Sequence, residues 1–282
     1  MEEKIVITYD SGLDIDPETV EKYGIKKLPV VIKFGMNESL DDGSISPEEI
    51  IEYFNKENDL AITSPPTVQD LFRFFTKFSH MGYTVIHIST SAKLSSAFDY
   101  ATSAAESFNK VHIIDSKAYS IGGMPIVLKA AEMAEKKSPV EDIVKTCKEL
   151  ADKVRMHVMI GNLKYTHSGG HINVGQNLLL SVFGMIPTVS VEDGYFYVKK
   201  NYRGKPDKAS LKFIDDILKN AKNIQRDNFY LGHTGLSESI IEDCRKEINQ
   251  VSEFDQIITI RCGCSTTTHY GDGGLLLAWV EN

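Results

Sequence analysis

A cluster of hydroxyl side chains separates an apolar run from a helical pattern in VIHISTSAKLSSAFDYATSAAES, residues 85–107. The hydroxyl groups belong to Ser89, Thr90, Ser91, Ser95 and Ser96. A strand that turns into a helix leaves unpaired backbone N–H groups at the turn, and these groups favour an anion. Because Ser is also the usual helix cap, capping and anion binding both stay open for this turn.

A second hydroxyl-bearing turn occurs in AITSPPTVQD, where Thr63 and Ser64 follow a short apolar run. Pro65 and Pro66 hold the chain extended, and Thr67 begins a helix. In a parallel sheet the carboxyl ends of the strands share one edge, so we expect both hydroxyl turns to face one site. Capping combined with a rigid loop is the alternative for this segment.

Two histidines in the second half stand among small polar residues. YTHSGGHINVG contains His171, and STTTHYGDGG contains Thr268 and His269. A neutral histidine beside hydroxyl groups suits hydrogen bonding to a carboxylate, although a structural role stays open for each. The alternative is a serine hydrolase that uses Ser91 or Ser95 with His269, but the G-x-S-x-G elbow of such enzymes is missing.

Asp10 and Asp115 each end an apolar run and precede a serine. Paired carboxylates could serve acid–base chemistry or bind a cation. However, Asp after a strand more often caps the following turn, and we favour that interpretation. The four cysteines lack the spacing of a disulfide framework or a metal site, so we expect reduced thiols and no metal.

Alternating strands and helices must position these residues. Helical periodicity predicts a helix that begins close to Ser95 and further helices over 47–56, 67–78, 122–136, 139–153, 207–221 and 236–248. The apolar runs KIVITYD, KKLPVVIKF, YTVIHIS and KVHIIDS predict a parallel sheet covered on both faces. In the second half, the turn at 192–194 predicts an antiparallel hairpin and a sheet of mixed direction.

Length and composition limit the class of protein. A chain of 282 residues exceeds the size of most single cores, so we predict two α/β domains, 1–153 and 154–282. The net charge of −8 argues against a nucleic-acid partner. With no apolar segment long enough to span a bilayer and no leader peptide at the start, we expect a cytoplasmic protein.

These segments together resemble the DegV family of bacterial fatty-acid-binding proteins. The resemblance covers essentially the whole chain and rests on VITYDSGLDI, TSPPTVQDLF, ISTSAKLSSAFDYA, VHIIDSKAYSIGG, LKYTHSGGHINVG, IPTVSVEDGYFYVKKNYRGK and THYGDGGLLLAWV. It implies a long-chain fatty acid between two α/β domains, with the carboxylate on hydroxyl groups and the acyl tail in the first domain. It implies neither catalytic residues nor a cofactor.

The resemblance also supplies candidate site residues. The candidate ligand-binding residues are Thr63, Ser64, Ser91, Ser95, His171, Thr268 and His269. Phe72, Phe75 and Phe98 are candidate walls of the acyl tunnel, although each could equally be ordinary core.

Family members present the bound acid to a separate kinase, which phosphorylates its carboxyl group with ATP. This sequence has no phosphate-binding loop, which agrees with the binding of ATP by the kinase and not by this protein. Arg203 is the candidate contact with the kinase or the acyl phosphate, and a solvated charge is the alternative.

Two positions depart from the family pattern. His171 replaces the usual arginine after two glycines, which makes any phosphate contact there sensitive to pH. Asp272 replaces a proline and adds an acid near His269, which could orient the ring or weaken carboxylate binding by repulsion.

Overall fold

The structure, a computed structural model, describes residues 3–167 and 185–282. Its first half contains β1 (Lys4–Asp10), α1 (Pro17–Tyr23), β2 (Lys26–Leu28), β3 (Val31–Phe34), β4 (Asn37–Leu40), α2 (Pro47–Glu57), β5 (Ile62–Ser64), α3 (Val68–His80), β6 (Tyr83–Ser89), α4 (Ala97–Ala105), β7 (Val111–Asp115), a 3-10 helix (Ser120–Gly123), α5 (Met124–Glu135) and α6 (Val140–Ala151). Its second half contains β8 (Val154–Met159), a 3-10 helix (Leu163–His167), β9 (Met185–Glu192), β10 (Tyr195–Arg203), α7 (Pro206–Asn220), β11 (Asn228–His233), α8 (Glu238–Val251), β12 (Gln256–Arg261), α9 (Cys264–Tyr270) and β13 (Leu275–Val280).

The predicted parallel sheet is present in the first half, with the strand order β2-β1-β6-β7. Successive side chains of its central strands enter two different apolar layers. Val6 and Val85 pack with α3 and α4, whereas Ile7 and Ile86 pack with α5 and α6. Both faces are therefore covered, and this explains why the strands are almost continuously apolar.

The segment KKLPVVIKF does not form one strand of the parallel sheet, which corrects the prediction. Pro29 lacks an N–H group for a strand ladder, and the chain leaves the sheet there. The residues after Pro29 form an antiparallel sheet of order β4-β3-β5. Thr63 and Ser64 consequently lie within an antiparallel strand and not at the carboxyl end of a parallel one.

The second half contains the predicted sheet of mixed direction, with the order β10-β9-β8-β13-β11-β12. Only the β11–β12 pair of this sheet is parallel. The predicted hairpin joins β9 to β10 through Asp193 and Gly194, which both have positive φ. Two positive φ angles in a two-residue loop are the geometry that suits the twist of a hairpin.

Buried apolar clusters connect the two halves. Ile121 and Met124 of the first half belong to the same cluster as Val158 and Leu276 of the second. The predicted boundary at residue 153 falls between α6 and β8. The division into two domains at this point stays a prediction, because the core continues across it.

The predicted helices are present with small shifts of their ends. The helix predicted over 122–136 begins as a 3-10 turn, and the helix predicted over 139–153 begins at Val140 with Pro139 as its N-cap residue. Sequence periodicity missed α9, a seven-residue helix of mostly polar residues. Within residues 3–167 and 185–282, no helix has the length and apolar character needed to cross a membrane.

Two hydroxyl residues at helix starts allow a matched test of capping. Thr67 forms a full capping box with Asp70, whereas Ser96 makes no side-chain cap bond to α4. We expect Thr67→Ala to lower the free energy of unfolding by about 1 kcal/mol. Ser96→Ala should change it by less than about 0.5 kcal/mol. Urea unfolding followed by circular dichroism measures both, and equal losses would contradict the assignment of caps.

Candidate functional site

A cavity lies where the parallel sheet of the first half meets the second half of the chain. About 480 Å³ of space lies between its walls, including space open to solvent. Of the predicted residues, its wall includes Thr63, Ser64, Ser95 and His269. The other wall residues are Asp10, Gly12, Val30, Pro65, Thr90, Leu94, Tyr119, Phe196 and Ser265. Three elements far apart in sequence therefore contribute to one site. They are β5, α9 and the turn between β6 and α4, residues 89–96, which we call the serine turn.

Thr63 and His269 contact each other across the two halves of the chain. The Thr63 hydroxyl lies 3.1 Å from Nε2 of His269. His269 is only 5% exposed, and the Tyr119 ring packs edge-on against it with the centroids 5.5 Å apart. The Tyr119 hydroxyl in turn lies 3.0 Å from the Ser265 hydroxyl. Uncharged hydroxyl groups and a histidine thus gather on one side of the cavity.

Asp10 organises the first part of the serine turn. Its carboxylate accepts hydrogen bonds from the Ser89 hydroxyl at 3.0 Å, the Thr90 N–H at 2.8 Å and the Thr90 hydroxyl at 2.5 Å. The Gly12 N–H donates to it at 3.1 Å. A Cβ atom at Gly12 would lie 2.3 Å from the Thr90 hydroxyl, so only glycine fits there. Asp10 therefore fixes the turn, in line with the favoured interpretation of this residue.

Asp115 also supports the turn, because it accepts from the backbone N–H groups of Ala92 and Lys117. Neither aspartate belongs to a cluster able to hold a metal ion, and the described ranges contain no such cluster. All four cysteines are free and buried.

Ser95 presents its hydroxyl group to the cavity. Its oxygen accepts from the Ala97 N–H at 3.2 Å, which leaves the hydroxyl proton for a second partner. The backbone around Ser95 is already ordered, since its N–H donates to the Ser91 carbonyl. A donor held in this way is positioned before any ligand arrives.

Two of the predicted ligand-binding residues do not line the cavity. The Ser91 hydroxyl donates to the Gly194 carbonyl at 3.0 Å, because the β9–β10 hairpin packs against the serine turn. The Thr268 hydroxyl donates to the Cys264 carbonyl at 2.8 Å, one helical turn earlier in α9. His171 lies outside the described residues.

Arg203 lies far from the cavity. Phe196 lies near the start of β10 and lines the cavity, whereas Arg203 is exposed at the other end of that strand. At the usual rise per strand residue, roughly 20 Å separate them. This distance does not support the predicted contact of Arg203 with an acyl phosphate in the cavity.

The departure at Asp272 does not add an acid to the cavity wall. The Asp272 side chain packs against Gly235, and Asp272 is exposed to solvent. Burial, together with the nearby Asp272 charge, raises the pKa of Tyr165 to about 12.

None of the three candidate tunnel phenylalanines lines the cavity. Phe75 is fully buried in the apolar layer between α3, α4 and the sheet. Phe98 is half-buried on α4, and Phe72 is 42% exposed with its ring against Phe108.

Sequence reasoning missed Tyr119, Ser265 and Phe196 as wall residues. The motif VHIIDSKAYSIGG contains Tyr119 without marking it, and Ser265 lies in the helix that periodicity did not show. Phe196 follows the hairpin turn, and the folding of that turn onto Ser91 could not be read from local patterns.

Comparison with known proteins supports a family assignment. The model of the "Uncharacterised protein, DegV family" matches residues 4–282. The DegV domain-containing protein CA_C1624 of Clostridium acetobutylicum is 27% identical over 265 residues, which cover 93% of this chain and 92% of that protein.

Solved structures show the same fold. A DegV family protein from Thermus thermophilus, described as fatty acid binding, has a TM-score of 0.90 at 21% identity and covers 99% of this chain and 100% of its own. The fatty acid kinase B3 protein of Streptococcus pneumoniae, loaded with linoleic acid, has a TM-score of 0.84 at 15% identity with the same coverage. With a family match over nearly its whole length, the chain belongs to the DegV family.

Proposed function

We propose that this protein binds one long-chain fatty acid and holds its carboxylate in the cavity with Thr63, Ser64, Ser95 and His269. The observation that carries this proposal is the convergence of these four residues on one cavity wall, with Thr63 and His269 in contact. Hydroxyl groups and a histidine can each donate a hydrogen bond to a carboxylate.

The absence of a basic residue from the wall fits a site that must release its ligand. No Lys or Arg of the described ranges lines the cavity, and Asp10 is the charged residue on its wall. A buried Arg would clamp the acid as an ion pair, whereas neutral donors orient it without that attraction.

We further propose that the acyl tail lies beneath α3 and α4 on the face of the sheet that carries Asp10. This layer is apolar and contains Leu71, Phe75 and Val85, while α4 turns the small side chains of Ala97 and Ala101 inward. Each buried methylene contributes about 0.8 kcal/mol, so the tail can supply most of the affinity. Because no residue of α3 or α4 lines the cavity, a long tail requires these two helices to move away from the sheet.

The related structures support this class of ligand. The neighbours from Thermus thermophilus and Streptococcus pneumoniae are described as fatty acid binding and as loaded with linoleic acid. The second is a fatty acid kinase B protein, and we propose that the present protein likewise offers its bound acid to a separate ATP-dependent kinase. It then acts as a carrier in the cytoplasm and has no catalytic role of its own.

The binding proposal predicts a specific effect of Ser95. A charge-assisted hydrogen bond contributes about 1.5–3 kcal/mol, so Ser95→Ala should weaken stearate binding by roughly ten- to a hundredfold. Thr63→Val should have a similar effect, since it removes both a donor and the contact with His269. Displacement of a fluorescent fatty acid measures each Kd.

Two controls accompany this experiment. Ser96→Ala changes an exposed serine one residue from Ser95 and should leave the affinity unchanged. Methyl stearate has an uncharged ester in place of the carboxylate and accepts a weaker hydrogen bond, so Ser95→Ala should cost its binding less than it costs the binding of stearate. Equal losses for stearate and its methyl ester would show that Ser95 does not contact the head group.

The alternative function, a serine hydrolase, requires a serine next to a histidine base. The structure instead puts Thr63 beside His269, while Ser91 donates to Gly194 and Ser95 accepts from Ala97. Thr63 and His269 are within the reach of a nucleophile and its base, so Thr63 must be included in any test of catalysis.

We expect a chromogenic short-chain ester to be hydrolysed no faster with the protein than in buffer alone. The assay compares the wild type with Ser95→Ala and Thr63→Val at equal protein concentration. Turnover that disappears in either variant would establish an esterase and contradict the carrier proposal.

The kinase proposal predicts that Arg203 affects transfer but not binding. In the presence of ATP and the catalytic subunit of a bacterial fatty acid kinase, the loaded protein should support acyl phosphate formation, detected by trapping with hydroxylamine. Arg203→Ala removes the proposed contact with the kinase, so it should lower this rate several-fold. Because Arg203 lies far from the cavity, the Kd for the fatty acid should not change. The matched control is Lys136→Ala, which removes an exposed positive charge at the C-terminal end of α5. Equal rates for both variants would remove Arg203 from the interface.

A further inference from the structure

His87 is a buried polar residue that the proposed head-group site does not use. Its side chain is 1% exposed, and Nδ1 lies 2.9 Å from the Thr8 hydroxyl. The other ring nitrogen, Nε2, is buried without a hydrogen-bond partner among the described residues. Such an orphan in the interior costs free energy, so it needs a physical explanation.

His87 lies on the proposed path of the acyl tail. Thr8 pairs with His87 in the sheet, and Thr8 precedes the cavity residue Asp10 by two positions on β1. Alternate residues of a strand share one face, and two residues span roughly 7 Å. The His87 ring packs edge-on against Phe75 of α3, with the centroids 5.4 Å apart. The unpaired nitrogen is therefore in the apolar layer directly beyond the cavity.

Burial favours the neutral form of the ring, which limits what it can bind. Burial lowers the pKa of His87, although Asp10 opposes this effect. A neutral imidazole has one donor and one acceptor nitrogen, and Thr8 occupies one of them. Whichever tautomer is present, Nε2 can bond to a hydroxyl group, because a hydroxyl both donates and accepts.

We propose that His87 binds a hydroxyl group carried partway along the acyl chain, so that hydroxylated long-chain acids are a preferred class of ligand. This inference rests on the proposed function, since it assumes that the tail runs beneath α3 and α4. A hydroxyl in an otherwise apolar layer loses its hydration, and so does Nε2. One hydrogen bond between them satisfies both groups.

Competition binding with a series of hydroxystearic acids tests this inference. The acids differ only in the position of the hydroxyl, so every isomer pays a similar cost for burying it. For the wild type, we expect one position to bind about tenfold more tightly than the other positions, which is the factor expected from one hydrogen bond. Unsubstituted stearate is measured in parallel.

Two substitutions of the same residue provide matched variants. His87→Leu removes the nitrogen and should abolish the preference among isomers while stearate still binds. His87→Gln retains an amide group near the position of Nε2 and should preserve a preference. As an independent readout, the ¹⁵N resonance of Nε2 in the wild type should shift with the preferred isomer and not with stearate.

The outcomes separate the two proposals. If stearate binds and all isomers bind equally in the wild type, the His87 inference is wrong and the fatty acid proposal stands. A preference that survives in His87→Leu also overturns the role of His87. If neither stearate nor any hydroxystearate binds to the wild type, both proposals fail.

Discussion

The buried carboxylate of Asp14 holds the two halves of the chain together at the site. It accepts from the Gly263 N–H at 2.7 Å and from the Thr266 hydroxyl at 2.5 Å, both at the start of α9, and also from Ser120. A carboxylate buried without such donors would cost several kcal/mol, so this set of bonds fixes the start of α9. The opposite end of the same short helix places His269 against Thr63. The geometry of the cavity thus depends on an interaction outside it.

The charged side chain on the cavity wall is a carboxylate, and two further carboxyl groups are buried in the same region. Asp10 lines the wall, and Asp14 and Asp41 are buried nearby, where burial raises the pKa of Asp41. Burial also raises the pKa of Tyr119, so its hydroxyl keeps its proton. An acidic ligand therefore gains hydrogen bonds but no ion pair at the wall. Under the fatty acid proposal the tail must supply the affinity, and the head group remains available to a partner.

The sequence allowed prediction of the elements that follow local rules. Continuous apolar strands gave the parallel sheet, and the turn at Asp193 and Gly194 gave the hairpin. The convergence of Thr63 and Ser95 was predicted for the wrong reason, because β5 belongs to the small antiparallel sheet and not to the parallel one. The contacts of Ser91 and of the start of α9 were not predictable, since they join residues up to 252 positions apart in sequence, as in the bond between Thr266 and Asp14. The bond of Thr268 to Cys264 is local, but it depends on α9, which the sequence pattern did not reveal.

The hydrogen bond from Ser91 to Gly194 holds the β9–β10 hairpin close against the serine turn. Gly194 has a φ of 80°, and a Cβ atom there would lie 2.5 Å from the Ser91 hydroxyl. Any larger residue would therefore separate the hairpin from the turn. Since Phe196 follows on the same hairpin and lines the cavity, that separation would also displace part of the cavity wall. Ser91 thus serves the site by positioning Phe196, although Ser91 itself does not line the cavity.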